Sequence, residues 1–368
     1  MASPDDTHRK DLSWLVRPPG KMPDRNTAPE NGASTQSGSK PSTAFVLDAE
    51  DLHGLRAYLK SLGWLPGEAL LRAGRVGDGN MNITVRVRTD RGSYVLKQAM
   101  PWVVKYPDIP APVERAAVEA EFYRLAAGIP GLAANMAAFL GFDPGSRLLL
   151  LEDLGDGGDF MGAYRTGRME TWQCATLTDF LSRLHVAAEP ARQAPLLRNR
   201  AMRELNHGHQ YCLPLRPDNG IGLDKITPGL AALASELKAD RKYCRRIAEL
   251  GDLYLKDGHF LVHGDFYPGS WLITKRGIAV IDFEFFHFGL REYDLGIFLA
   301  HLVLLRSQPL WKVVADRYRE PVNWSLAFRF AGAEIMRRLI GVAQLPLPAD
   351  LAMKQAWLGL SRELVCAE

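Results

Sequence analysis

The period of the apolar residues changes once along this chain, and that change limits the possible folds more than any other feature. In ITVRVRT (Ile83–Thr89) and YVLKQAM (Tyr94–Met100) every second side chain shares a face, as half-buried strands require, with turns at GDGN (Gly77–Asn80) and DRGS (Asp90–Ser93). An earlier strand runs through Leu70, Leu71 and Val76, and LLLLEDL (Leu148–Leu154) is a buried strand that ends in acidic residues before the hinge-like GDGGDF. Beyond the hinge the period is mostly helical. Helices are expected at Trp172–Ala187, Pro228–Gly251, Glu292–Leu305 and Trp324–Val342. Two more belong to the strand-rich part: one over Pro112–Ala127, and one capped by Asp48 with Leu52, Leu55, Leu59 and Leu62 along one stripe before Gly63. The short runs FLVHGD and GIAVIDFEF read as the two strands of one small hairpin among the later helices. The prediction is an α+β chain, with an antiparallel sheet lobe over residues 44–153 and a mostly helical lobe over 154–368. Residues 1–43, rich in Pro, Ser, Gly and Asn, bury too little apolar surface to offset their ordering entropy and read as a flexible leader.

A length of 368 residues suits two lobes better than one core. The net charge of +3 leaves no basic excess that would point to nucleic acid or a membrane surface, so an anionic partner must be met locally. Cys174, Cys212, Cys244 and Cys366 lie far apart without a CxxC pair, which reads as reduced thiols in a cytoplasmic protein. No apolar run approaches the length of a membrane span.

The chemistry-bearing residues are concentrated at His263-Gly264-Asp265, with Ser270 five positions on and Asp282 and Glu284 after the apolar run Ile278–Ile281. Carboxylates directly after buried strands sit where those strands emerge at a cleft. Phosphoryl transfer needs one carboxylate to accept or orient the attacking hydroxyl proton and others to hold magnesium, roles that suit Asp265 and the pair Asp282/Glu284. Lys97 lies mid-strand, where an inward ammonium is costly unless it meets an anion. Phosphates of ATP and a helix glutamate are the expected partners. Glu119 and Glu121 are both candidates: Glu121 shares helical spacing with Val118 and Leu125, whereas Glu119 falls nearer the stripe's edge. Gly77, Gly79 and Asn80 form a turn open enough for backbone N–H groups to approach phosphates, and Glu152 and Leu154 at the hinge complete the nucleotide-side candidates. Arg337 and Arg338 are neighbours on one helix, about 100° apart, so at most one faces solvent cleanly and the other is free to face the cleft.

With GDGNMN, VLKQAMPW, RAAVEAEFYRL, LLLLEDL, HGDFYPGS, IDFEF and EIMRRLIGVA assembled, the chain resembles the methylthioribose kinases, within the aminoglycoside-phosphotransferase and choline-kinase-like group that shares the bilobal protein-kinase fold. The wider group carries Asn five residues after its catalytic Asp, whereas this family has Ser and a D-x-E pair, as Ser270 and Asp282/Glu284 do here. The resemblance implies Asp265 as base; Asp282 and Glu284, beside Ser270, at Mg2+; Lys97 on the phosphates of ATP; Arg337 and Arg338 on a sugar; and a homodimer. Its implied acceptor is the 1-hydroxyl of 5-methylthioribose. An aminoglycoside, choline or another sugar is the alternative, followed by a nucleotide-binding pseudokinase. The family's HGDLHTGS reads HGDFYPGS here, and Asn199–Leu215, on the acceptor side, departs from the family pattern.

Overall fold

The computed structural model describes residues 45–77, 81–185 and 195–367. The expected leader lies outside them. Helix α1 (Leu52–Ser61) is followed by strands β1 (Leu70–Arg75), β2 (Asn82–Thr89) and β3 (Ser93–Ala99), the short hairpin β4 (Trp102–Val103) and β5 (Tyr106–Pro110), helix α2 (Arg115–Ala127), and strands β6 (Phe139–Asp143) and β7 (Leu148–Glu152). The main sheet is antiparallel and five-stranded, in the order β1-β2-β3-β7-β6. Its two faces follow from strand alternation. Val85, Val87 and Leu96 pack with Leu148 and Leu150 against Leu55 and Leu59 of α1, whereas Lys97 and Ala99 point to the opposite face, towards α2. Asp51, rather than Asp48, caps α1 by accepting from the Gly54 N–H at 2.8 Å; Asp48 instead closes a turn onto Glu50 N.

The rest is mostly helical: α3 (Ala163–Thr166), α4 (Thr171–Leu184), α5 (Arg200–His207), α6 (Leu223–Ile226), α7 (Leu230–Ala239), α8 (Arg241–Leu255), α9 (Arg291–Leu304), α10 (Trp311–Arg317), α11 (Trp324–Ile340) and α12 (Leu351–Cys366). The single helix expected over Pro228–Gly251 is broken at Asp240, whose extended backbone and side-chain bond to Tyr243 N restart the chain as α8. The expected hairpin of FLVHGD with GIAVIDFEF is also corrected. Strand β8 (Phe260–Val262) pairs with β11 (His287–Gly289), and β9 (Trp271–Thr274) with β10 (Gly277–Val280), so the two acidic loops belong to different ribbons. Helices α9 and α11 are buried nearly all round and form the centre of this lobe, with α12 packed on α11. Among the described residues no helix is long and apolar enough to cross a membrane, and all four cysteines are free.

Candidate active site

Strand β8 delivers His263-Gly264-Asp265 into the gap between the lobes, and three interactions fix that loop. Asp294 of α9, fully buried, accepts the backbone N–H of His263 at 2.6 Å and of Gly264 at 3.0 Å. Burial pushes its carboxyl up, but hydrogen bonds and charge from His185, His263 and the Gly264 amide more than offset this and hold it below the usual range. Gly264 has φ +86°, and a Cβ there would fall 2.3 Å from the Phe285 carbonyl oxygen, so no other residue fits. The neutral His263 ring accepts from Asp265 N through Nδ1 (3.2 Å) and donates through Nε2 to the Ile281 carbonyl (2.9 Å). One imidazole therefore ties the loop of Asp265 to the residue before Asp282. The Asp265 carboxylate, 18% exposed, is raised by burial above its ordinary value and only partly drawn back by Arg337 and Arg338.

A cluster of carboxylates gathers around Lys97. Its ammonium donates to Glu119 and to Asp282, each at 2.8 Å. Glu119 is the buried partner; Glu121, contrary to its apparent place on the apolar stripe, turns outward and bonds Arg124 at 3.0 Å. Asp282 and Glu119 outweigh burial and keep Lys97 protonated, while burial pushes the Glu119 carboxyl up to about 7. Glu284, buried in the middle of the short turn Phe283–Phe285, has Oε2 3.0 Å from Arg115 Nε. That N–H is directed to Asn82 Oδ1, so Glu284 Oε2 is a buried carboxylate oxygen without a hydrogen bond. Asp282 is half-exposed and has φ +66°, a strained conformation that Asp tolerates better than most residues.

Ser270 is buried and donates its hydroxyl to the Asp265 carbonyl at 3.1 Å, which occupies its proton in shaping the loop. The Glu152 carboxylate accepts from Ala138 N and from Arg276 Nη2, both at Oε2 and at 3.0 Å, which fixes the strand end before the expected hinge. Gly77 has φ +66° with open space where a Cβ would lie; Gly79 and Asn80 fall outside the described residues.

Both arginines are buried, and both face Asp265 Oδ1: Arg338 Nη2 at 3.4 Å and Arg337 Nη1 at 3.7 Å. Neither is the solvated helix charge that adjacent spacing suggests. The reason is Glu334, one turn earlier and also buried, which accepts from Arg337 Nη1 at 2.9 Å and from Arg338 Nε at 2.6 Å. The Arg338 guanidinium lies 4.6 Å over the Tyr267 ring, so the tyrosine of HGDFYPGS is part of the site. Asp294, Glu334 and Arg115 were missed from the sequence. Glu334 is an ionisable residue amid apolar helix positions, whereas Asp294 and Arg115 sit among other charges in the first turns of α9 and α2 and carry no such signal.

Two carboxylates two residues apart, one half-exposed and one buried beside Arg115, fit Mg2+, which binds through one or two carboxylates and completes its shell with phosphate and water. Among the described residues no group of three or more His, Cys, Asp or Glu side chains could hold a metal by itself.

The chain is 26% identical to methylthioribose kinase of Cronobacter sakazakii, with 84% of this chain and 92% of that protein covered. It is likewise 26% identical to the Exiguobacterium sibiricum methylthioribose kinase (80% and 84% covered) and 27% identical to methylthioribose kinase 1 of rice (62% and 55%). Among solved structures, spectinomycin phosphotransferase in complex with ADP and spectinomycin aligns with a TM-score of 0.49 at 13% identity, covering 86% of this chain and 97% of that one. The model of the phosphotransferase enzyme family matches residues 72–324, well over half of the sequence, and the chain therefore belongs to that family.

Proposed function

We propose that this protein is an ATP- and Mg2+-dependent kinase that phosphorylates a hydroxyl of a small neutral sugar, the 1-hydroxyl of 5-methylthioribose or a close analogue. The observation that carries the acceptor class is the pair Arg337 and Arg338, buried and facing the one oxygen of Asp265 that would accept the acceptor's hydroxyl proton. A cationic acceptor such as choline or an aminoglycoside would approach two guanidinium groups there, whereas sugar hydroxyls can accept their N–H donors. The named relatives, methylthioribose kinases of bacteria and rice, support the same acceptor.

In this reading residues 44–153 clamp ATP and 154–368 supply catalysis and the acceptor pocket, in a cytosolic homodimer. Lys97 spends two of its three donors on Glu119 and Asp282 and has one left for a phosphate oxygen. Asp282 and Glu284 would hold the magnesium, which when bound neutralises phosphate charge. Asp265 accepts the hydroxyl proton and aims the oxygen at the γ-phosphorus, with in-line transfer and no covalent enzyme intermediate. ATP consumption against a panel of neutral sugars and amino-alcohols, beside Asp265→Ala, tests the proposal. Turnover of methylthioribose, abolished in the variant, is expected; turnover of the cationic acceptors alone would overturn the acceptor class.

A further inference from the structure

Behind the two arginines runs a hydrogen-bonded chain that the proposed reaction does not use directly. Tyr164 Oη lies 2.7 Å from His301 Nδ1, and His301 Nε2 lies 3.2 Å from Glu334 Oε1. Glu334 in turn holds Arg337 and Arg338, which meet Asp265. Tyr164, His301 and Glu334 are all buried, on α3, α9 and α11 respectively.

The direction of every bond follows from chemistry. The arginines and His301 hold the Glu334 carboxyl well below its usual range despite burial, so it can only accept. His301 therefore donates from Nε2. Burial lowers its imidazole to about 4, so Nδ1 carries no proton and accepts from the Tyr164 hydroxyl. The Glu334 bonds to the arginines, 2.6 to 3.1 Å, are shorter than the 3.4 and 3.7 Å contacts of those arginines with Asp265. Two guanidinium charges are thus shared between two carboxylates, with the tighter share on Glu334. Without it both would close on Asp265 and stabilise its ionised form, which weakens it as a base.

We infer that Glu334, braced by His301 and Tyr164, is a positioning residue that keeps Arg337 and Arg338 oriented to the acceptor while preventing them from quenching Asp265. This inference rests on the assignment of Asp265 as base. The groups that set the titration of Asp265 are Arg337, Arg338, Glu334 and His263, with Tyr267 adjoining it on the acceptor side.

The test uses the full chain and the acceptor that the wild type turns over. Glu334→Gln keeps the shape and removes the charge. The acid limb of its kcat profile should move down by about one pH unit or more, with kcat at least about tenfold lower and KM for ATP unchanged. Tyr164→Phe removes only the brace, and kcat should fall about fivefold, the equivalent of one net hydrogen bond, at an unchanged KM for ATP. An unmoved acid limb and wild-type kcat in the variants overturn the inference. Should Glu334→Gln not fold, Tyr164→Phe decides alone. Nitrogen-15 NMR of the histidines, with His301 assigned by its loss in His301→Gln, needs no acceptor. It should show His301 neutral and protonated at Nε2; protonation at Nδ1 instead refutes the chain. A wild type that turns over no acceptor counts against the proposed function, and the tautomer still decides the inference.

Discussion

Asp294→Asn offers a demanding test of how the catalytic loop is held. In the native protein one carboxylate oxygen accepts from His263 N at 2.6 Å and His185 Nε2 at 3.2 Å, and the other accepts from Gly264 N at 3.0 Å. An asparagine keeps one acceptor and places an NH2 group where the other stood. With its oxygen towards His263, the new donor faces the Gly264 N–H, leaving a buried donor without a partner at about 1–3 kcal/mol. Loss of charge from the remaining bonds adds about 1 kcal/mol, since hydrogen bonds to charged groups are roughly twice as strong as neutral ones. The sum, about 3 kcal/mol, corresponds to a fall of roughly 6–12 °C in the melting temperature of the helical lobe. Asp265 hangs on the same two amides, so kcat should drop about a hundredfold, as a 1 Å misplacement of a reacting group does. Differential scanning calorimetry and steady-state kinetics measure the two effects. A loss under about 2 °C together with wild-type kcat would show that Asp294 does not hold the loop.

Asp265→Asn should abolish turnover yet leave the melting temperature at pH 7 unchanged or raised. The folded state disfavours ionised Asp265, so the neutral isostere relieves a cost; a clear drop in stability contradicts that balance. By the same sign, kcat of the native enzyme should decline with falling pH through a value above the ordinary carboxylate range, which a pH–rate profile reads directly. Lys97→Met should raise KM for ATP about 30-fold, the worth of one charge-assisted hydrogen bond of about 2 kcal/mol, and nucleotide titration calorimetry checks it. Gly264→Ala, with its added carbon 2.3 Å from Phe285 O, should lose at least about tenfold in kcat by displacing Asp265; wild-type kinetics would show that the loop accommodates a methyl group.

Local pattern carried much of this protein into view. Period-two alternation placed Lys97 inside β3, and the apolar runs before Asp265 and Asp282 marked both as strand-end carboxylates, because strand burial leaves its trace in neighbouring residues. Sequence could not choose between Glu119 and Glu121: the helix carrying them is buried over most of its circumference, so no single apolar stripe marks its inner face. Nor could it pair β8 with β11 and β9 with β10, since strand register across intervening loops is decided by three-dimensional packing. Arg337 and Arg338 were visible as letters, but their inward turn depends on Glu334 and on His301 from another helix. Chain order therefore determined the lobes, the lysine strand and the acidic loops. Only the tertiary structure decided which buried charges meet, because each is tolerable there solely through partners distant in sequence.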